Sequence, residues 1–465
     1  MKKRLKGTVI YSLSNILLKL GSAAMLPILT RLLTPDEFGV IAILTPLTSI
    51  LAILLGGGLY SPLMKKYIDL QEKPEVFARY ACSFLFVIAL LSVLLCTLFH
   101  VSLIYWDFKS LLPSQIEVSY IEFSLYIAVF SALNTISICL FRIQDKYIYV
   151  SFIALLSFIS NYFITIWLLS EFDLGVLGYL IGSLISSVFI FIFNLKNYAY
   201  KMKFNINLSY IISGFKHGVP LVFIELSDWF IGLSDRFVLM SFVSLVEVGV
   251  YSLAATGAKI IGVLGSSYNN TIISELYGAI RDGKDQKIII SELVEFYKVL
   301  VALAVSIQLT SFEIIPFIFP ATYENLGFYF ISLIPCAILQ YFFFLDFYFH
   351  YHEKSKVIAK ITVFIAILNL CMNLFLVPIF GVLAAIYTTF FAFTIRLVLQ
   401  VILINRLFNI KFNLSSICIL TSFLFVIPAL SNFIELEESI LVRWISSILM
   451  VMFSIWTIKK NMECN

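Results

Sequence analysis

Residues 26–44 read LPILTRLLTPDEFGVIAIL, and residues 234–255 read SDRFVLMSFVSLVEVGVYSLAA. Each runs from an arginine through a turn into Glu-x-Gly-Val, and Gly39 and Gly249 stand 210 positions apart. A second pair agrees. Residues 174–183 (LGVLGYLIGS) and 380–389 (FGVLAAIYTT) place Gly175 and Gly381 206 positions apart. Asn161 and Asn369, each shortly upstream of that glycine, are 208 apart. Three matches in order at nearly one offset point to an internal duplication of half the chain.

Composition says what kind of chain is duplicated. Of 465 residues, 61% are hydrophobic and 13% charged. A membrane-spanning helix needs about 20 apolar residues, and soluble domains carry roughly 25% charge. The balance excludes a soluble enzyme, a disordered chain and a nucleic-acid-binding protein. The seven cysteines do not form a disulfide framework; six lie in apolar stretches, where a thiol acts as a small hydrophobe.

Apolar runs bounded by charge or turn residues predict 14 transmembrane helices: 7–32, 38–62, 81–104, 118–142, 149–170, 175–195, 217–242, 248–274, 291–320, 326–349, 357–378, 381–405, 414–432 and 441–459. The first run is too long for a signal peptide and carries Lys19 in its middle, so it reads as an uncleaved span. With the N-terminus in the cytoplasm, 24 of the 32 basic residues fall in cytoplasmic segments. Arg31, Lys109 and Arg443 fall outside, and Lys19, Arg236, Lys259, Lys298 and Arg396 lie within spans. That asymmetry sets both termini in the cytoplasm.

The expected architecture is an all-α integral membrane protein. Two parallel six-helix lobes are related by a pseudo-two-fold axis along the membrane normal, because an offset of six helices is even. Residues 1–195 form the first lobe (helices 1–6), 196–216 a basic cytoplasmic linker and 217–405 the second lobe (helices 7–12). Residues 406–465 hold helices 13 and 14 and the tail. Substrate paths in repeat-built transporters lie between the repeats.

An ionisable residue inside a span costs roughly 2.5–3.5 kcal/mol at the helix centre on insertion scales and by default marks a pathway or a pair. Glu225, Asp228, Gly232, Asp235 and Arg236 share one face of predicted helix 7. Ser252, Thr256, Lys259, Ser266 and Asn270 form a stripe on helix 8, and Ser12, Asn15, Lys19 and Ser22 one on helix 1. Helix 2 adds Thr45, Thr48 and Ser49. Four such faces can line one aqueous cavity, and lysines at its midplane suit an anionic ligand. Structural readings stand beside these. Asp235 and Arg236 can cap the turn before Glu-x-Gly-Val, and Asp228 can be a salt-bridge partner of either lysine. Lys298 and Arg396 read as snorkelling, and Asp346 and His350 as solvated.

No HExxH, P-loop or Cys-x-x-Cys is present, and four histidines make no metal set. The chain therefore reads as no enzyme and needs no cofactor. Movement would draw on a gradient, on the membrane potential, or on substrate supply and removal, with a proton or sodium ion as candidate coupling ion.

The two opening stretches resemble the polysaccharide-biosynthesis flippases, Wzx-type members of the multidrug/oligosaccharidyl-lipid/polysaccharide exporter superfamily. Asn369-x-x-x-Asn373 followed by Val377-Pro378-x-x-Gly381-Val382-Leu383-Ala384-Ala385 resembles their helix 11–12 junction. The resemblance implies two six-helix lobes around a cavity and alternating access. It implies passage of an undecaprenyl-diphosphate-linked oligosaccharide, an O-antigen or capsule repeat unit, from the inner to the outer leaflet of a bacterial cytoplasmic membrane. A glycan polymerase and a chain-length regulator are the implied protein partners, with membrane lipids around them. Cationic cavity residues are thought to hold the diphosphate; here Lys19, Lys259 and Arg236 are the candidates, with Asn15 and Asn270 beside them. Asp228, Glu225 and Asp235 are the candidates for coupling or gating. Many members have 12 helices, so with 14 predicted either helices 13 and 14 are an addition, as in the related lipid II flippases, or one span has been split in the count. Alternatives are a lipid II flippase, a multidrug exporter, which would favour an acidic cavity without central lysines, and a membrane glycan polymerase, which needs larger external loops.

Overall fold

A computed structural model describes residues 2–464 except 71–72, 106–114, 145, 199–205, 263–264, 266–267, 270–271, 273–275, 277, 279, 281–286, 353, 409–420, 422–423 and 425–439. The described residues form helices and short connections, with no strand among them. Nine described helices are long and apolar enough to cross a membrane. The chain is a multi-pass, all-α membrane protein. It divides into two compact units, Met1–Leu233 and Ser234–Asn465.

In the first unit, α1 (Lys2–Leu32) packs on α6 (Tyr147–Phe172), and α6 on α7 (Gly175–Tyr198). Helix α2 (Pro35–Gly56) lies against α5 (Val118–Ile143), which also packs on α7. The predicted span 38–62 breaks at Gly57 and Gly58, both in left-handed backbone, and resumes as the short α3 (Tyr60–Asp69). Helix α4 (Pro74–Tyr105) joins α3 and α5 around a core containing Leu59, Leu63, Phe84, Ile88, Ala128 and Ile136.

Helix α8 (Leu208–Leu233) completes this unit. Its start is capped by Asn207, whose side-chain oxygen accepts from the Ser209 backbone at 2.9 Å. Residues 208–216, expected in the linker, thus belong to the helix. Its backbone meets the α2–α3 break directly. A Cβ at Gly58 would stand 2.3 Å from the Gly218 carbonyl oxygen, and one at Gly218 2.4 Å from that of Gly57. Three turns further, the Trp229 indole donates to the Pro46 carbonyl at 3.0 Å.

Predicted helix 7 (217–242) is not one helix. The chain turns at Ser234 and restarts as α9 (Asp235–Phe242). The Asp235 carboxylate accepts from the Arg236 backbone N–H at 2.9 Å, and the Phe237 N–H reaches back to the Ser234 carbonyl at 3.1 Å. The Asp235 side chain thereby satisfies one of the free N–H groups at the start of the new helix, while Ser234 makes no side-chain cap bond.

The second unit continues with α10 (Leu245–Ala258), α11 (Lys287–Ile318) and α12 (Leu326–Leu339). A 3₁₀ segment, Gln340–Leu345, leads into α13 (Asp346–Tyr351), so the predicted span 326–349 is crossed by a broken helix. Helices α14 (Ser355–Phe380), α15 (Val382–Phe408) and α16 (Ile440–Cys464) follow. Helix α12 packs between α10 and α15, and α16 lies along α11. Of predicted helix 13 (414–432), only Thr421 and Leu424 are among the described residues.

The repeat signature has a structural meaning in each unit. Thr34 and Glu37 form a full capping box at the start of α2, and Ser244 and Glu247 form another at the start of α10. Gly175 (φ 52°) and Gly381 (φ 58°) are both in positive-φ backbone. A Cβ at Gly175 would lie 2.1 Å from Glu37 Oε1, and one at Gly381 3.6 Å from the Val243 side chain beside the second box. The third pair ties neighbouring helices. Asn161 donates to Ser183 across α6 and α7, while Asn373, itself donating to Asn369, accepts from Thr388 across α14 and α15.

Candidate substrate site

Several hydroxyls of the polar stripes donate to carbonyls of their own helices. Thr45, Thr48 and Ser49 on α2 donate to the carbonyls of Ile41, Leu44 and Thr45, and Thr256 on α10 donates to Ser252. Ser22 on α1 donates to Leu18 at 2.8 Å. Back-bonded hydroxyls satisfy themselves in an apolar surrounding.

In the first unit, Lys19 is exposed on α1, and the Asn15 side chain lies outside the described residues. On α8, Asp228 is exposed and Glu225 is half-buried, hydrogen-bonded to the Tyr60 hydroxyl of α3. Gly232, one turn on, has no neighbour within 4 Å of a Cβ position.

In the second unit, Asp235 and Arg236 are each 5% exposed and pair with each other, Nη1 to Oδ1 at 3.1 Å. The Tyr251 hydroxyl of α10 donates to the other Asp235 oxygen, and the Arg236 guanidinium lies 5.9 Å from the Tyr251 ring centroid. Two of the candidates are thus joined in one buried network that fixes the start of α9 to α10. Lys259, capping the end of α10, is exposed and within Coulombic reach of both members of the pair. Asn270 lies outside the described residues.

Two further networks escaped the sequence reading. Arg396, 3% exposed, donates to Asp346 at 2.7 Å, and Gln400 donates to the same carboxylate. Arg396 therefore does not snorkel, and Asp346 is not a solvated helix end. Their i, i+4 spacing puts Arg396 and Gln400 on one face of α15, a visible signal; their partner 50 residues upstream was not. Arg443 of α16 likewise pairs with Glu313 of α11. Lys298 pairs with Glu295, one turn away. Among the described residues no group of three or more His, Cys, Asp or Glu could hold a metal ion.

A family described as polysaccharide biosynthesis protein matches residues 28–326, more than half the chain. The chain belongs to the polysaccharide biosynthesis protein family. No curated protein matches it. The solved structures it resembles agree on the fold. The lipid II flippase MurJ, in an inward closed conformation, superposes with a TM-score of 0.75 at 13% identity, over 98% of this chain and 99% of that one. A multidrug resistance MATE family transporter, inward-facing, gives 0.63 at 14% identity over 85% and 100%. A MOP superfamily transporter from Pyrococcus furiosus gives 0.53 at 13% identity over 85% and 95%. At such identities the likeness concerns the fold, and fold alone does not assign a substrate. This member of the polysaccharide biosynthesis family therefore has the membrane fold shared by MurJ and the MATE transporters.

Proposed function

We propose that this chain is a transporter that flips an undecaprenyl-diphosphate-linked oligosaccharide from the cytoplasmic to the outer leaflet of the bacterial cytoplasmic membrane by alternating access. The observation that supports it most directly is the exposure of Lys19 on α1 and of Lys259 at the end of α10, in a chain of a polysaccharide biosynthesis family. A diphosphate offers several charged oxygens, and charge-assisted hydrogen bonds to them are roughly twice as strong as neutral ones.

In this reading Lys19 and Lys259 hold the diphosphate while the polyprenyl tail stays in lipid, with Asn15 and Asn270 near the head group. Arg236 acts through its pairing with Asp235, setting the field around Lys259. Asp228 and Glu225 compete for the lysines once the head group leaves, and carry the coupling proton or cation. The termini lie in the cytoplasm, as the basic loops favour, and polymerase and chain-length regulator act on the delivered unit.

The alternative cargo is lipid II, another lipid-linked diphosphate, whose flippase MurJ shares this fold. Lys19→Ala combined with Lys259→Ala separates the outcomes. Surface glycan should disappear while the protein stays in the membrane at its normal level. Normal surface glycan together with normal peptidoglycan-precursor flipping would sink the site, and loss of precursor flipping with intact glycan would favour lipid II.

A further inference from the structure

Tyr162 of α6 and Tyr179 of α7 stand outside the polar stripes, yet each is hydrogen-bonded to a member of one. Tyr162 meets Ser22 of α1, and Tyr179 meets Thr45 of α2. The two phenols are within Coulombic reach of each other. Close packing of α1 on α6 brings the first pair together. A Cβ at Gly21 would stand 2.7 Å from the Phe158 ring, whose centroid lies 4.8 Å from that of Tyr162. Hydroxyls from four helices of the first unit thus stand together. Lys19 precedes Ser22 by three residues, which puts both on one face of α1. Both tyrosines are desolvated by the surrounding protein and still keep accessible surface, and Thr45 and Lys19 are exposed.

The hydrogens of this group can be assigned. A hydroxyl has one hydrogen and two lone pairs. Ser22 spends its hydrogen on the Leu18 carbonyl and Thr45 on the Ile41 carbonyl, at 2.8 Å each. Their oxygens can then only accept, so Tyr162 and Tyr179 must donate to them. Each phenol has no second hydrogen, and towards anything else it is an acceptor. A phosphate oxygen, itself an acceptor, finds no partner there. The hydroxyl and amide hydrogens of a sugar do. Lys19 carries donors only and has the opposite preference.

We propose that Tyr162 and Tyr179 read the sugar: their phenol oxygens accept from hydroxyl or amide hydrogens of the carbohydrate, while Lys19 holds the diphosphate. This inference rests on the proposed flippase function and divides its head group by hydrogen-bond polarity. It also makes the two tyrosines specificity-determining, because a head group lacking the matching donors would leave polar atoms of the site unpaired.

Equilibrium binding to the purified full-length protein in nanodiscs tests the assignment with two probes. One is undecaprenyl diphosphate, the other the undecaprenyl-diphosphate-linked oligosaccharide extracted from the producing strain. Tyr162→Phe with Tyr179→Phe should weaken binding of the oligosaccharide lipid by roughly tenfold, the worth of two neutral hydrogen bonds, and leave undecaprenyl diphosphate unchanged. Lys19→Ala should weaken both. Ser22→Ala with Thr45→Val loses the same internal bonds but keeps both phenol oxygens, and should bind the oligosaccharide lipid within about threefold of the wild type. Three results would overturn the assignment: equal weakening of both lipids by the tyrosine pair, no weakening of either, or the same loss in Ser22→Ala/Thr45→Val as in the tyrosine pair. Wild-type protein that binds neither lipid would instead sink the flippase reading, and the assignment with it.

Discussion

At the scale of single residues, the charges inside the helices divide by whether they were visible alone. Lys19 and Lys259 stand out in apolar runs, and both were legible from sequence because one residue carries the whole signal. Asp346 and Arg396 were misread because the meaning of each lies in the other, 50 positions away. Burial of a single charge is implausible, whereas burial of a pair is not. Gln308 was silent for a related reason: its partners are the backbone carbonyls of Ile331 and Leu424, which no sequence displays. The Asp346–Arg396 pair makes a testable case. Arg396→Leu strands a carboxylate in the interior and should destabilise the protein by about 3–5 kcal/mol, whereas Asp346→Leu with Arg396→Met should recover much of that loss. Thermal unfolding in detergent would read both, and a double variant no better than the single would refute the pairing as the cause.

At the scale of elements, most helix limits followed from apolar runs ended by charge. Predicted spans 118–142 and 149–170 appear as Val118–Ile143 and Tyr147–Phe172. The breaks did not follow. Gly57 and the 3₁₀ stretch Gln340–Leu345 interrupt runs without a charge, since backbone geometry leaves the apolar pattern intact, whereas the break at Ser234 falls beside Asp235 and Arg236. The Glu-x-Gly-Val repeat was recognised as a signature, and its physical content is a pair of capping boxes. Gly175 shows how tightly one of them is held. Any side chain there would collide with the Glu37 carboxylate and strain a left-handed backbone. Gly175→Ala should therefore cost more than Thr34→Ala, which forfeits about 1 kcal/mol of cap alone. Comparing their melting points checks the order; if Thr34→Ala is the worse of the two, the contact between glycine and box is not what constrains this turn.

At the scale of the whole molecule, composition alone established a helical membrane protein, and the duplication pointed to two halves. What sequence could not reveal is where one compact half stops. The period of the repeat places its seam before helix 7, but α8 packs with the helices that precede it. The cause is local: a close backbone crossing at Gly57, Gly58 and Gly218, and the indole of Trp229 on Pro46. Neither is a repeated feature, so neither could be found by comparing the halves. Cutting the gene after residue 233 should give an N-terminal fragment that accumulates in membranes, whereas a cut after residue 205 should give one that is degraded. Immunoblots of the two fragments decide between these boundaries, and equal survival would place the limit elsewhere.

That glycine crossing also bears on ancestry. If the present chain arose by joining two copies of a shorter gene, the unit of inheritance and the unit of packing are out of step by one helix. The opening helix of the first copy, α1, packs on α6 of its own half, whereas its counterpart α8 packs on the half before it, so the two opening helices no longer keep the same neighbours.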